Sequence, residues 1–214
     1  MKKKWTQEVW SEASGIYGRI IGHPFIKELA TGTLDSARFN RYIAQDELYL
    51  GNYGRQMLSF AGMIDDDRQR EMFNDFARAG LEGERAMHEL LTARFKTDLV
   101  VCASPVTAAY NAHTEAALVS GRRELALAAL LPCMWVYNEV GRHILSIADM
   151  EGNPYREWIS EYADDEFTRG VREVLEIADG YAAAADVGTR RMMTRLFVEA
   201  TQFEYDFWDF GYYG

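Results

Sequence analysis

The chain has 214 residues, of which 48% are apolar, and it carries a formal net charge of −10. This length, without a Pro/Gly/Ser-rich linker or a repeat, predicts one domain over residues 1–214. The negative charge disfavours a nucleic-acid partner, because DNA and RNA are bound by basic surfaces. No apolar run approaches the roughly 20 residues of a membrane helix, so we expect no membrane segment. The opening MKKKWTQEVW lacks the apolar stretch of a secretory signal, and two cysteines are too few for a disulfide framework. We therefore expect a cytoplasmic protein.

Apolar residues recur with the period of an α-helix along almost the whole chain. The predicted helices cover, in chain order, residues 5–22, 23–32, 37–64, 65–96, 105–121, 124–150, 154–162, 171–185 and 190–210. No segment alternates with period two for long enough to predict a β-strand. The sequence therefore predicts an all-α, single-domain bundle of about seven to nine helices.

Polar residues mark the start of three of these helices. Asp35 or Ser36 is expected to cap the third helix, because the first amide groups of a helix need an oxygen acceptor. Ser104 followed by Pro105 is typical of an N-cap and a first helical position. Thr189 is the predicted cap of the last helix.

Glycine and proline inside two of the predicted helices are expected to disturb them. Gly51 and Gly54 lie within residues 37–64, where glycine weakens a helix through its conformational freedom. Pro132 lies within residues 124–150 and is expected to kink that helix, because proline lacks an amide hydrogen and its ring crowds the preceding turn.

A stripe of tyrosines on the third helix contains one acid. Tyr42, Asp46, Tyr49 and Tyr53 recur at helical spacing and therefore share one face. An acid in such a stripe can hydrogen-bond an amino-substituted ring while the tyrosines stack on it. The alternative is that Asp46 is exposed or bonded to a neighbouring helix.

The predicted helix with Pro132 also carries a cysteine. Cys133 and Tyr137 are four residues apart, so the thiol and the phenol share one face. A cysteine is nucleophilic only as the thiolate, which requires a polar or positive environment. The alternative is a small buried apolar residue, and that is the interpretation favoured for Cys102, which lies among aliphatic residues before a helix cap.

An aromatic stretch near the end of the chain contains Glu204. Phe197, Phe207 and Trp208 lie at helical spacing from it. If that face points inward, desolvation raises the pKa of Glu204 and lets it act as an acid and then a base near neutrality. The opposite orientation, with a neighbouring aromatic residue inside, stays open because the helix is aromatic nearly all round.

Two Glu/His pairs could ligate a metal ion in a helical bundle. Glu84 and His88 are four residues apart, as are Glu139 and His143. The carboxylate-bridged di-iron pattern usually places His three residues after Glu, and the chain has 4 histidines in all. We therefore expect no metal site and assign His88 and His143 to hydrogen bonds at the edge of the core.

Six segments together resemble the TenA family, in the family's order along the chain. They are HPFIKELATGTL, YIAQDELYL, AYNAH, PCMWVYNEVG, NPYREWISEY and FEYDFWDF. The resemblance implies the haem-oxygenase-like all-α fold, a homotetramer and an enzyme without a cofactor. It also implies thiaminase II activity, the hydrolysis of 4-amino-5-aminomethyl-2-methylpyrimidine (aminopyrimidine) and of thiamin to the hydroxymethylpyrimidine HMP, for reuse in thiamin synthesis.

Carried over by motif, the resemblance implies roles for individual residues. Cys133 in the PCxW segment is the nucleophile, Glu204 in FExxFW is the acid and base on the pyrimidine, and Asp46 in QDxxYL bonds the amino edge of the ring. Four tyrosines match ring-binding or thiol-orienting positions: Tyr49, Tyr110, Tyr137 and Tyr162. Relatives without the cysteine prefer other substrates, so its presence favours thiaminase II activity. A non-catalytic pyrimidine-binding protein and an oxidase of the same fold are the alternatives.

Overall fold

The computed structural model describes residues 3–95, 102–162 and 164–214, and for residues 161 and 162 and some residues of 79–95 it describes the backbone alone. These ranges form nine α-helices: α1 (Trp5–Ile21), α2 (Pro24–Ala30), α3 (Ser36–Ala61), α4 (Asp67–Phe95), α5 (Pro105–Val119), α6 (Arg123–Ile147), α7 (Arg156–Tyr162), α8 (Asp165–Ala184) and α9 (Val187–Tyr213). The described residues contain no β-strand. The predicted all-α fold is confirmed.

Two of the predicted helix starts are confirmed by their hydrogen bonds. The side chain of Asp35 accepts a hydrogen bond from the amide of Ala37 at 2.9 Å, which makes Asp35, of the two candidates, the N-cap of α3. The hydroxyl of Ser104 accepts from the amide of Thr107 at 3.1 Å, and Pro105 is the first residue of α5. Each cap satisfies an amide that the helix itself leaves without an acceptor.

The predicted cap of the last helix is wrong. The N-cap of α9 is Asp186, whose carboxylate accepts hydrogen bonds from the amide of Thr189 at 2.9 Å and from its hydroxyl at 2.7 Å. The helix therefore begins before Thr189. A carboxylate at this position also interacts favourably with the positive end of the helix dipole, which the hydroxyl of a threonine cannot do.

The irregularity expected at Gly51 and Gly54 is absent, because α3 runs from Ser36 to Ala61 as one helix. A Cβ atom added at Gly54 would overlap the side chain of Leu81 on α4. The glycine therefore lets α4 pack directly on the backbone of α3. Close packing between the two helices offsets the roughly 1 kcal/mol that glycine costs in a helix interior.

The helix α6 forms the centre of the bundle. It continues through Pro132, and every residue from Leu125 to Asn138 is buried. A helix that is apolar on all sides is expected in the interior of a protein. It packs against α5, α7, α8 and α9. The kink expected at Pro132 stays a prediction.

The helices α3, α5, α6 and α9 carry the candidate site residues, and each of the four packs against the other three. Residues that are far apart in the sequence are thereby placed around one interior region. No helix in the described ranges combines the length and the apolarity that a membrane span requires.

Candidate active site

The three residues expected to carry chemistry are all buried. Asp46 on α3 is 2% exposed, Cys133 on α6 is 7% exposed and Glu204 on α9 is 1% exposed. Three of the predicted tyrosines are buried with them: Tyr49, Tyr110 and Tyr137. The orientation that periodicity left open for the last helix is therefore the one with Glu204 inside.

The carboxyl group of Glu204 is held by a tyrosine from another helix. The hydroxyl of Tyr110 on α5 donates a hydrogen bond to Oε1 of Glu204 at 2.6 Å. Burial raises the pKa of Glu204 from 4.5 to about 8, the hydrogen bond from Tyr110 lowers it in part, and the negative charge of Asp46 raises it. Glu204 is therefore mainly protonated at pH 7 yet can lose its proton near neutrality, as a general acid and base must.

The thiol of Cys133 lies beside a tyrosine of α3. The hydroxyl of Tyr53 donates to the backbone carbonyl of Leu130 at 3.1 Å, one turn before Cys133. Burial raises the pKa of Tyr53 well above 10, the negative charges of Cys133 and Glu204 raise it further, and a hydrogen bond with Cys133 adds to this. Because the single hydroxyl proton of Tyr53 goes to the carbonyl of Leu130, the phenol oxygen offers an acceptor to the thiol of Cys133.

The thiol and the carboxyl group share their neighbours. Burial is the main reason that the pKa values of three phenols lie well above 10, and negative charge at both Cys133 and Glu204 raises each of them further: Tyr49, Tyr53 and Tyr110. The rings of Tyr49 and Tyr110 stack with their centroids 4.7 Å apart. Groups from α6 and α9 therefore meet around one tyrosine cluster.

A second set of aromatic rings lies beside Tyr137. Its hydroxyl accepts a hydrogen bond from the hydroxyl of Tyr42 at 3.1 Å. The ring of Tyr42 stacks on Trp208 at 4.8 Å and is nearly parallel to it, with an interplanar angle of 6°. The rings of Tyr137 and Trp208 are 5.3 Å apart. Flat aromatic surfaces of this kind suit a planar heterocycle.

Two further tyrosines of the predicted stripe, Tyr42 and Tyr53, lie here, although the family resemblance assigned neither of them an individual role. The helical spacing that selected Asp46 and Tyr49 also selected these two, and both are buried. The predicted residue Tyr162 lies in α7, but its side chain is outside the described residues.

The outcomes for Cys102 and for the two Glu/His pairs that were considered as metal ligands differ. Cys102 is exposed, so the expectation of a buried structural cysteine is wrong; its carbonyl accepts a hydrogen bond from Gln45 at 3.2 Å. The side chains of Glu84 and His88 are outside the described residues. Among the side chains that the structure describes, no group of three His, Cys, Asp or Glu residues is arranged to hold a metal ion.

Comparisons with known proteins agree with this architecture. A family model described as the TENA/THI-4/PQQC family matches residues 10–213. The aminopyrimidine aminohydrolase of Bacillus subtilis strain 168 is 31% identical over 98% of this chain and 90% of that protein. The aminopyrimidine aminohydrolase of Halalkalibacterium halodurans is 27% identical over 95% of this chain and 93% of that protein.

Solved structures show the same fold. A TenA homologue from Pyrococcus furiosus superposes with a TM-score of 0.91 at 21% sequence identity, over 97% of this chain and 100% of that one. The bundle of nine described helices therefore has the haem-oxygenase-like architecture of TenA proteins.

Proposed function

The chain belongs to the TENA/THI-4/PQQC family, and from that premise we propose that it is an aminopyrimidine aminohydrolase of the thiaminase II type. It hydrolyses aminopyrimidine, and thiamin, to HMP for thiamin salvage. Support comes from relatives that bear the name aminopyrimidine aminohydrolase and align over nearly the whole chain. The proposal includes a single domain over residues 1–214, a cytoplasmic homotetramer and catalysis without a cofactor.

One observation carries this proposal. A buried acid and a buried thiol lie near the same three phenols. The acid is Glu204, whose pKa is raised to about 8, and the thiol is Cys133; negative charge at either one raises the pKa of each phenol. Substitution at a methylene on an electron-poor pyrimidine needs both a nucleophile and a group that exchanges a proton with the ring. Stacked tyrosines beside them provide the flat surfaces that such a ring requires.

The reaction proceeds in two covalent stages. The sulfur of Cys133 bonds to the ring carbon beside a ring nitrogen, which takes the proton of Glu204, and the ring loses its aromaticity. The exocyclic C–N bond then breaks, and the amine leaves as ammonia with the proton of the thiol. Water adds to the exocyclic carbon, its proton returns to the sulfur as the S–C bond breaks, and the ring nitrogen returns its proton to Glu204. One difficult substitution is thereby divided into easier steps.

The other predicted residues bind the substrate. Asp46 accepts a hydrogen bond from the amino group of the pyrimidine, and its charge also helps to keep the proton on Glu204. Four tyrosines bind the ring or orient the thiol: Tyr49, Tyr110, Tyr137 and Tyr162. Tyr53 contacts Cys133 and joins this set.

The decisive experiment is a turnover assay with aminopyrimidine that quantifies ammonia and HMP. We expect equimolar release of the two products, unchanged by a chelator. Binding of the pyrimidine without release would identify a non-catalytic binding protein. Dependence on a metal ion, or consumption of oxygen, would identify an oxidase of the same fold. Sedimentation analysis of the same preparation tests the homotetramer.

A further inference from the structure

The helix that carries Tyr110 is attached to α3 by a buried amide at its start. Oε1 of Gln45 accepts hydrogen bonds from the hydroxyl of Thr107 at 2.8 Å and from the amide of Ser104 at 2.7 Å. Nε2 of Gln45 donates to the carbonyl of Cys102 at 3.2 Å. The side chain of Gln45 is 4% exposed. One amide thus fixes the backbone and the first turn of α5 at once.

A second glutamine of α3 repeats the arrangement further along α5. The hydroxyl of Thr114 donates to Oε1 of Gln56 at 2.7 Å, and Nε2 of Gln56 donates to the carbonyl of Asn111 at 3.1 Å. Gln56 is also buried. Gln45 and Gln56 lie about three turns apart on α3 and therefore on one face of it.

These two attachments lie on either side of Tyr110. Thr107 precedes it by three residues and Thr114 follows it by four, so all three side chains share one face of α5. Four of the five buried residues of α5 are small or carry a hydroxyl group, and the fifth, Leu118, lies in the last turn of the helix: Thr107, Tyr110, Thr114, Ala117 and Leu118. Apolar packing is non-directional. The directional hydrogen bonds of the two amides therefore restrain the position of this helix along α3.

The ring of Tyr110 needs such a restraint. Tyr49 stacks on it at 4.7 Å and Phe203 at 5.4 Å, both within 27° of parallel. Stacked rings restrict tilting but allow sliding in the ring plane. A sliding displacement changes the distance from the hydroxyl to Oε1 of Glu204, and the 2.6 Å hydrogen bond tolerates little change.

We propose that Gln45 and Gln56 are positioning residues of the active site. Through their hydrogen bonds with Thr107 and Thr114 they hold α5 at the position along α3 at which Tyr110 can donate its hydrogen bond to Glu204. We call these two hydrogen bonds, Thr107–Gln45 and Thr114–Gln56, the α5 clamp. The inference rests on the proposed function, because it assigns the clamp a role in the acid–base step. It adds to the site two residues, Gln45 and Gln56, that are outside the proposed substrate-binding set and act through Tyr110.

The clamp has a measurable chemical consequence at Glu204. The titratable groups that act on Glu204 or share its phenol neighbours come from α3, α5 and α6: Asp46, Tyr49, Tyr53, Tyr110 and Cys133. Of the influences on Glu204 itself, burial and Asp46 raise its pKa, and the hydrogen bond from Tyr110 lowers it. Loosening the clamp lengthens that hydrogen bond, so the pKa of Glu204 rises above about 8.

The mildest variant that opens the clamp is Thr107→Val. It removes one hydroxyl, which bonds Gln45 and, at 2.9 Å, the hydroxyl of Ser104. Oε1 of Gln45 keeps the amide of Ser104 as a donor, and the hydroxyl of Ser104 keeps the amide of Thr107, so no buried acceptor is left without a donor. Thr107→Ser keeps the hydroxyl and is the rescue variant. Thr6→Val is the matched control, because the buried hydroxyl of Thr6 also bonds across two helices, to Asp179 at 3.1 Å, but neither helix contributes a site residue.

Infrared titration of the Glu204 carboxyl band, identified by its loss in Glu204→Gln, measures the effect without any turnover. We expect Thr107→Val to raise this pKa by about half a unit or more, and to lower kcat about tenfold with KM changed less than about twofold. Thr107→Ser and Thr6→Val should leave both quantities close to the native values.

The role of Tyr110 is tested by combining Thr107→Val with Tyr110→Phe. If the clamp acts through Tyr110, Thr107→Val shifts the Glu204 titration in the native background and has no further effect in the Tyr110→Phe background. An equal shift in both backgrounds, or a Thr107→Val effect no larger than that of Thr6→Val, overturns the inference. Failure of the wild-type protein to release ammonia overturns the proposed function instead, and leaves the infrared result intact.

Discussion

Glu204 in the candidate site and His23 before α2 are two buried ionisable groups that are both kept neutral at pH 7. Burial raises the pKa of Glu204 to about 8 and lowers that of His23, because a buried charge loses its hydration. Both lie among aromatic rings: Glu204 beside the tyrosine cluster, and His23 against Tyr205, Tyr212 and Tyr213. Burial and aromatic surroundings alone therefore do not distinguish a catalytic group.

The two groups differ in what they bond. Nδ1 of His23 accepts a hydrogen bond from the amide of Phe25 at 3.1 Å and so caps α2, while Nε2 lies 3.5 Å from Asp209. Glu204 bonds a side chain from another helix, Tyr110, and shares its surroundings with Cys133. A neutral group that serves its own backbone is structural. A neutral group that faces a nucleophile across phenols is the candidate for proton transfer.

The largest effect that sharpens this contrast is expected from Cys133→Ser. Turnover of aminopyrimidine should fall by on the order of a thousandfold or more, because a hydroxyl without an adjacent base is a far poorer nucleophile than a thiol. Affinity for HMP, measured by calorimetry, should stay nearly native since the two side chains are similar in size. Cys102→Ser is the control and should leave turnover unchanged, because Cys102 is exposed. Near-native turnover by Cys133→Ser would remove the thiol from the mechanism.

Glu204→Gln should lower the rate by roughly two to four orders of magnitude, the usual scale for loss of a general acid and base. An amide can donate a hydrogen bond to a ring nitrogen but cannot relay a proton, so HMP should still bind, several-fold more weakly at most. Calorimetry and turnover are measured on the same preparation. Loss of binding with the saturated rate preserved would make Glu204 a binding group and Asp46 the next candidate for the acid.

The same variant should change how stability depends on pH. Because the folded-state pKa of Glu204 is raised from 4.5 to about 8, the native state binds this proton more tightly than the unfolded chain does. The resulting stability is complete below about pH 4.5 and is lost as the pH rises through about 8. Glutamine cannot ionise, so the Tm of Glu204→Gln should fall less than that of the wild type between about pH 5 and pH 9. Parallel Tm curves would show that this carboxyl is not held neutral.

The smallest effect on turnover is expected from a substitution at His23. A large effect there would contradict the comparison between His23 and Glu204. His23→Asn keeps an N-cap acceptor but is smaller than the buried ring, so we expect native turnover and a loss of about 1 kcal/mol in unfolding free energy at neutral pH. The lowered pKa of His23 stabilises the fold above its ordinary value of 6.5, and this contribution is lost as the pH falls through the folded-state value. The variant should therefore lose less stability than the wild type on acidification. A tenfold loss of turnover would place His23 in the catalytic machinery.

Much of the fold could be predicted from the sequence because helical period and caps are local signals. Asp35 and Ser104 are caps because each lies immediately before the helix whose amide it accepts. Thr189 was misassigned because Asp186, three residues earlier, competes for the same role. Gly54 looked like an interruption because the partner that fills its place, Leu81, lies on another helix.

The site was less predictable because it is assembled from four helices. Aromatic residues surround Glu204 on α9, so periodicity could not choose its orientation, and only the packing against α3, α5 and α6 does. Gln45 and Gln56 resemble ordinary polar helix residues in the sequence. Their role depends on hydroxyl groups of Thr107 and Thr114, more than 50 residues away along the chain.

The central claim, that the Cys133 thiol lies where the pyrimidine binds, is tested most directly by alkylation. Cys102→Ser leaves Cys133 as the single cysteine, because the sequence contains 2. Iodoacetamide is added with and without HMP, the label is located by mass spectrometry, and residual aminopyrimidine turnover is followed. We predict that one label at Cys133 abolishes activity and that HMP slows labelling and inactivation to the same extent. Labelling of Cys133 with activity retained, or at a rate that HMP does not change, would contradict the account.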